Sequence, residues 1–310
     1  MPVKVPNHLP AVETLTKENI FVMTSERANH QDIRPLRIGI VNLMPVKPVT
    51  ETQLLRLLSN TPLQVMVTFI RTATYTGKNT DISHLETFYR TIDDVIDAGE
   101  RFDALIVTGA PVEKLEYNEV LYWKELQKLM DWADRNVYSS MFICWAAMAA
   151  MYHHYGIPKY ALDEKCVGVF PHTVKNPAHP LMRGFSDSFE IPHSRYTEIR
   201  REDIEKVPEL EILADSEEAG VYLVASSDGR RIYVTGHGEY DRDTLRNEYL
   251  RDSAQGITDA FPKYYFPDND PQKEPGMRWR SHASLLMINW LNYMVYQNTP
   301  YNLSNLNESR

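Results

Sequence analysis

With 310 residues, 43% of them hydrophobic, the chain is long enough to bury one large core. Its 42 acidic against 33 basic side chains give a formal charge of −9, and no run of Lys and Arg offsets it, which argues against a nucleic-acid partner. The opening "MPVKVPNHLPAVETL" lacks an apolar signal core and the longest apolar run, "MFICWAAMAAMY", is too short to span a bilayer, so a cytoplasmic setting with no membrane partner is expected.

In chain order, residues 1–35 read as an N-terminal arm packing on the body or on a partner subunit. "LRIGIVNLM" (36–44) reads as a buried strand, followed by a helix, "ETQLLRLLSN", with apolar Leu54, Leu55, Leu57 and Leu58. "LQVMVTFI" (63–70) is a second strand, and a helical pattern over 82–98 leads into a third, "FDALIVTGAP" (102–111), whose Gly and Pro mark a loop at its carboxyl edge. Over 119–136 the spacing predicts a helix with Leu121, Leu126, Leu129, Met130 and Trp132 on one face. "YSSMFICW" is a fourth strand, running straight into a helix, "AAMAAMYHHYG", closed by Gly156. Beyond 160 the strands read as shorter and more varied: "CVGVF", "LEILADS", "GVYLVASS" and "RIYVTG". A Pro- and Asp-rich loop then precedes a closing helix, "ASLLMINWLNYMVYQ". No linker divides the chain, so a single domain over 36–298 is expected, with a tail over 299–310. The alternation implies an α/β fold: a flavodoxin-like parallel sheet, helices on both faces, ligands at the carboxyl ends of the strands.

Cys144 and Cys166 are too few for a disulfide framework in so long a chain, and both are expected as free thiols. An apolar-flanked cysteine is most often a small buried hydrophobe. Cys144, however, stands at a strand-to-helix junction. There a side chain is exposed at the sheet edge, and the helix N-terminus favours a thiolate and offers N–H groups to an oxyanion. In "YVTGHGEYD", His237 follows a strand end, and Glu239 two residues on can hold the imidazole in one tautomer. Together these residues point to a Cys-His-Glu triad. The remaining histidines, among them His153, His154, His172, His179 and His193, show no metal-ligand spacing, and no phosphate-binding glycine loop is present.

Eight stretches give the chain a family likeness: "DIRPLRIGIVNLMP", "TETQLLRLLSNTPLQV", "VTGAPVE", "ICWAAMA", "PHSRYTEI", "TGHGEYD", "FPDNDP" and "WRSHASLLMINWLNY". Through them almost the whole chain resembles the homoserine O-acyltransferases of the MetA type, on a class I glutamine amidotransferase-like fold. The resemblance implies transfer of an acyl group from acyl-CoA, as co-substrate, to a hydroxy amino acid through a thioester on Cys144, with no resident cofactor. It makes His237 the general base, Glu239 its orienting acid and the Trp145 N–H an oxyanion donor. Lys165, Ser194 and Arg251 match substrate-binding positions, and Lys47 matches a lysine near the site. A homodimer is also implied.

Members using acetyl-CoA have Glu after "TGAPV" and those using succinyl-CoA have Gly, so Glu113 implies acetyl-CoA. A carboxylate there occupies space and repels the charge of succinate. The chain departs from many members at Val46, Met148 and Pro171, where they carry Lys, Gln and Glu. These departures are expected to remove polar groups near the pocket, which leaves the acceptor open between homoserine for methionine synthesis and serine, one methylene shorter, for cysteine synthesis. A glutaminase or peptidase on the same fold and an inactive binding protein are the rivals from other classes.

Overall fold

The computed structural model describes residues 3–6, 9–17, 22–24, 34–75, 79–257 and 260–306. The apolar run Leu36–Val41 (β3) lies at the centre of the parallel half of one twelve-stranded sheet. Val65–Arg71 (β4) pairs with it on one side, and Phe102–Val107 (β6) on the other. Val137–Ile143 (β7) and Arg231–Val234 (β12) extend the same parallel run. At the outer edge Val3–Val5 (β1), Val22–Thr24 (β2) and Tyr89–Thr91 (β5) continue it, β1 and β5 both against β4. Leu9 and Leu15, from the expected N-terminal arm, are buried in the core. Residues 18–21 and 25–33 of that arm, and 307–310 of the tail, lie outside the described residues.

Side chains along β6 show why helices cover both faces. Ala104 and Ile106 join one apolar cluster while Leu105 and Val107 join the other, the period-two alternation of a doubly buried strand. Helices Lys47–Leu58 and Arg280–Asn289 cover the first face, and Trp123–Asn136 and Trp145–Tyr155 the second. Gly156, at φ 69°, ends the last of these, as its position predicts.

Several expectations are corrected. The expected α/β sheet with helices on both faces is present and mostly parallel, but beyond β12 the strands Gly220–Ser226 (β11), Leu210–Ser216 (β10), Tyr160–Val174 (β8) and Ser188–Glu198 (β9) are antiparallel. β8 has 15 residues and β9 has 11, so this half is longer, not shorter, than its apolar runs indicate. β9 carries Pro192 and charged side chains, which hide a strand from a hydropathy reading. The helical stretch over 82–98 is split by β5, and Thr91 caps the second helix through a reciprocal box with Asp94. Leu121 lies before the helix Trp123–Asn136 and is 75% exposed, so it is not part of the buried face. The closing helix begins at Arg280 and passes at Trp290–Tyr296 into a wider π-helical turn.

Candidate active site

Strand register assembles the site. Val41 is level with Val107, Val107 with Phe142, and Ile143 with Val234, so β3, β6, β7 and β12 end together at one carboxyl edge. The residue after Ile143 is Cys144, buried, with φ 52° and ψ −116°. That conformation is sparsely populated by residues with a Cβ and costs about 1–3 kcal/mol. It is held from both sides. The Cys144 N–H donates to Val234 O at 2.6 Å, and its carbonyl accepts from Ala147 N at 3.0 Å to start the following helix. The Trp145 N–H, at the first helical position, is among the donors that a helix leaves without an intrahelical acceptor.

β12 delivers the base. The His237 N–H donates to Pro192 O in β9 at 2.8 Å. The glycines on either side pack closely against their neighbours. A Cβ on Gly236 would lie 2.7 Å from Ile191 Cγ2, and one on Gly238 would lie 2.8 Å from Ala283 Cβ. His237 Nδ1 donates to Glu239 Oε1 at 2.6 Å, which leaves Nε2 available to the Cys144 side chain. Burial, the largest effect on His237, disfavours the imidazolium; the charges of Cys144 and Glu239 together outweigh it and hold the pKa well above the ordinary histidine value. The loop after β6 closes the third side, since a Cβ on Gly109 would stand 3.2 Å from Cys144 Cβ and 3.7 Å from His237 Cε1.

A second cluster borders the triad. Tyr240 stacks on the His237 ring, and its hydroxyl donates to Glu248. Ser194 donates to the other oxygen of Glu248 at 2.6 Å. On the same helix, Asp252 accepts from buried Lys165 at 2.7 Å and from Arg251 Nε at 2.7 Å. Burial raises the Asp252 pKa, but the hydrogen bonds from Lys165 and Arg251 prevail and hold it below the usual carboxylate range. Lys165, Ser194 and Arg251 are therefore gathered by two carboxylates that the sequence reading passed over. The available signal was Glu248, Arg251 and Asp252 at helical i, i+3, i+4 spacing.

Lys47 lies in a separate buried polar cluster beyond β3. Its ammonium donates to Asn42 O at 2.5 Å, and Tyr89 and His84 both bond the neighbouring Glu51. Burial, against the pull of Glu51, lowers the Lys47 pKa to about 8. Glu113 is half-buried in the turn beyond Gly109. His172 and His193 form a buried pair with Nε2 atoms 3.0 Å apart. Among the described residues no group of three His, Cys, Asp or Glu side chains is placed to hold a metal ion, and no helix is long and apolar enough to cross a membrane.

The three departures lie in different surroundings. Val46 is 44% exposed, and Pro171 lies on the surface beside Glu190 and Glu218. Met148 is fully buried under the nucleophile turn, where its sulfur accepts the Thr197 hydroxyl at 3.3 Å.

Comparison with known proteins gives the same outline. A family described as homoserine O-succinyltransferase matches residues 2–301. A homoserine O-acetyltransferase of Acetivibrio thermocellus is 59% identical over 99% of this chain and 100% of its own length. One from Brevibacillus brevis is 57% identical over 98% of this chain and 99% of its own. Among solved structures, a glutamine amidotransferase from Thermotoga maritima shares the fold, with a TM-score of 0.56 at 10% identity, over 85% of this chain and 100% of that one. A glutaminase domain from Trypanosoma brucei does so with a TM-score of 0.51 at 12% identity, over 84% of this chain and 97% of that one. With a family match over nearly its whole length and relatives above half identity, the chain belongs to the homoserine O-acyltransferase family, on the class I glutamine amidotransferase-like fold.

Proposed function

We propose that the chain transfers the acetyl group of acetyl-CoA to the hydroxyl of L-homoserine, giving O-acetyl-L-homoserine for methionine biosynthesis. The observation that carries the chemistry is Cys144 on its strained turn, with His237 between it and Glu239. The acceptor and acyl group are supported by relatives named homoserine O-acetyltransferase at 57% and 59% identity. The case for serine rests on Val46, Met148 and Pro171; the first and last are exposed, and Met148 is buried one helical turn beyond Cys144, where its sulfur is already bonded by Thr197.

The reaction proceeds in two halves. The Cys144 thiolate attacks the acetyl carbonyl, and the Trp145 N–H receives the developing oxyanion. The tetrahedral intermediate collapses, the C–S bond to CoA breaks, and His237 Nε2 gives its proton to the departing thiolate. Homoserine then enters, with its carboxylate in the fork of Arg251 and its hydroxyl aimed by the Ser194–Glu248 pair. Lys165 keeps Asp252, and through it Arg251, in place. His237 takes the hydroxyl proton, the oxygen attacks the thioester, and the ester leaves with thiolate and imidazolium restored. Glu113 excludes longer charged acyl groups, and Lys47 supports the loop beyond β3. A cytoplasmic homodimer is part of this reading. Its two free thiols suit a reducing compartment.

The test measures CoA release from acetyl-CoA with L-homoserine and L-serine offered separately, each product identified by mass. Intact-mass detection of an acetyl adduct on Cys144 accompanies it. Preference for homoserine with an adduct on that residue is expected. Full turnover by Cys144→Ala, or a preference for serine, overturns the reading.

A further inference from the structure

Glu113 sits in a turn with little to hold it locally. Leu115 N donates to Val112 O at 3.0 Å and Val112 N to Ala110 O at 2.9 Å, while Leu115 itself is 42% exposed. The main anchor comes from elsewhere in the chain. Lys159 reaches across from the segment that follows the nucleophile helix, and its ammonium donates to the carbonyls of Glu113 and Leu115, each at 2.5 Å. The same ammonium lies 5.1 Å from the centre of the Tyr117 ring, which is stacked on Tyr152 of that helix. Ile157, two residues before Lys159, is buried, so the base of the lysine is fixed to the body. On the other side of the turn, the Lys114 ammonium lies 3.5 Å from the centre of the Tyr196 ring in β9.

A carboxylate discriminates between acyl groups only while it is held in place. If free to swing into water, it neither fills the acyl pocket nor repels a second charge there, and a displacement of about 1 Å is enough to change reactivity. Two charge-assisted bonds to alternate carbonyls fix the peptide planes on both sides of the turn.

We propose that Lys159 is a positioning residue for acyl choice: by clamping the Glu113 and Leu115 carbonyls to the helix that carries Cys144, it sets the preference for acetyl-CoA over succinyl-CoA. The inference rests on the reading of Glu113 as the acyl selector, and the experiment separates the two. kcat/KM is measured with acetyl-CoA and with succinyl-CoA, at saturating homoserine, for the native enzyme, Lys159→Met, Lys159→Arg, Glu113→Gly and Glu113→Gly/Lys159→Met. Lys159→Met narrows the acetyl-to-succinyl ratio by about tenfold, the scale on which one pocket contact discriminates. Lys159→Arg, which can still bridge two carbonyls, restores most of it. In the Glu113→Gly background, Lys159→Met leaves the ratio unchanged, because no selector remains to be positioned.

If Lys159→Met lowers both activities by one factor, or changes neither, while Glu113→Gly narrows the ratio, the clamp is overturned and the Glu113 reading stands. A ratio unmoved by Glu113→Gly overturns the Glu113 reading and the positioning role with it. Should Lys159→Met fail to fold, Lys159→Gln is read by the same ratio.

Discussion

The ring of Tyr240 lies nearly parallel to that of His237, with centroids 4.2 Å apart and planes at 17°. Its hydroxyl donates to Glu248 at 2.9 Å, so one side chain supports the base and also orders the carboxylate that bonds Ser194. The two roles separate by mutation. Tyr240→Phe keeps the stacked ring and releases Glu248, so the homoserine KM should rise about three- to tenfold with kcat little changed. Tyr240→Ala removes the ring as well, and kcat should fall at least about tenfold as the imidazole loses its support. Steady-state kinetics on both variants checks this, and equal effects from the two would refute the division.

The charge on His237 depends on its partners. Burial pushes its pKa down, and Cys144 and Glu239 push it further up. Replacing Cys144 with Ala removes one of these two charges, so the His237 pKa should fall, read by NMR titration of its ring protons. The sign for stability follows from the raised value. The imidazolium contribution is fully present below the unfolded histidine pKa of about 6.5 and is lost as pH rises through the higher folded value. Denaturant melts of the native enzyme and Cys144→Ala should therefore differ more at neutral than at strongly alkaline pH.

Lys165 and Asp252 form an ion pair in which both side chains are only 5% exposed. Asp252→Asn removes the carboxylate charge that Asp252 supplies to a buried ammonium, a loss on the order of 3 kcal/mol. It also frees Arg251, so the homoserine KM should rise together with the fall in melting temperature. Unchanged thermal stability would show that the pair is not buried in solution.

Gly109 tests the tightness of the triad. Its backbone is free of the left-handed region, so Ala is objectionable there only for the methyl group, 3.2 Å from Cys144 Cβ. Gly109→Ala should fold normally and lose about ten- to a hundredfold in kcat, since small displacements of reacting groups are costly. A fully active variant would mean that the loop after β6 yields easily.

The sequence by itself determined the central strands β3, β4, β6, β7 and β12 of the parallel half and the chemistry at their edge. Apolar runs such as Leu36–Val41 and Phe102–Val107 have few alternatives to a buried strand, and a nucleophile directly after a strand of this kind, as Cys144 is after Val137–Ile143, stands at the sheet edge. His237 and Glu239 were legible for a related reason, because a strand end and two residues of extended chain fix their relation locally.

What the sequence left undecided depends on pairing over long separations. β9 is absent from the strands that hydropathy marks, and only when it is laid against β8 does Pro192 meet the His237 N–H while Ser194 faces Glu248. Of the departing positions, Val46 and Pro171 fall on the surface and Met148 in the core beside the nucleophile turn, a difference that spacing does not record. The joining of Lys159 to the Glu113 turn, and of Lys165 to Asp252, has no local signature at all. Hydropathy and spacing record which face of an element is buried, whereas the partner of a buried charge is chosen only when distant segments close on one another. Tertiary structure alone decided those contacts.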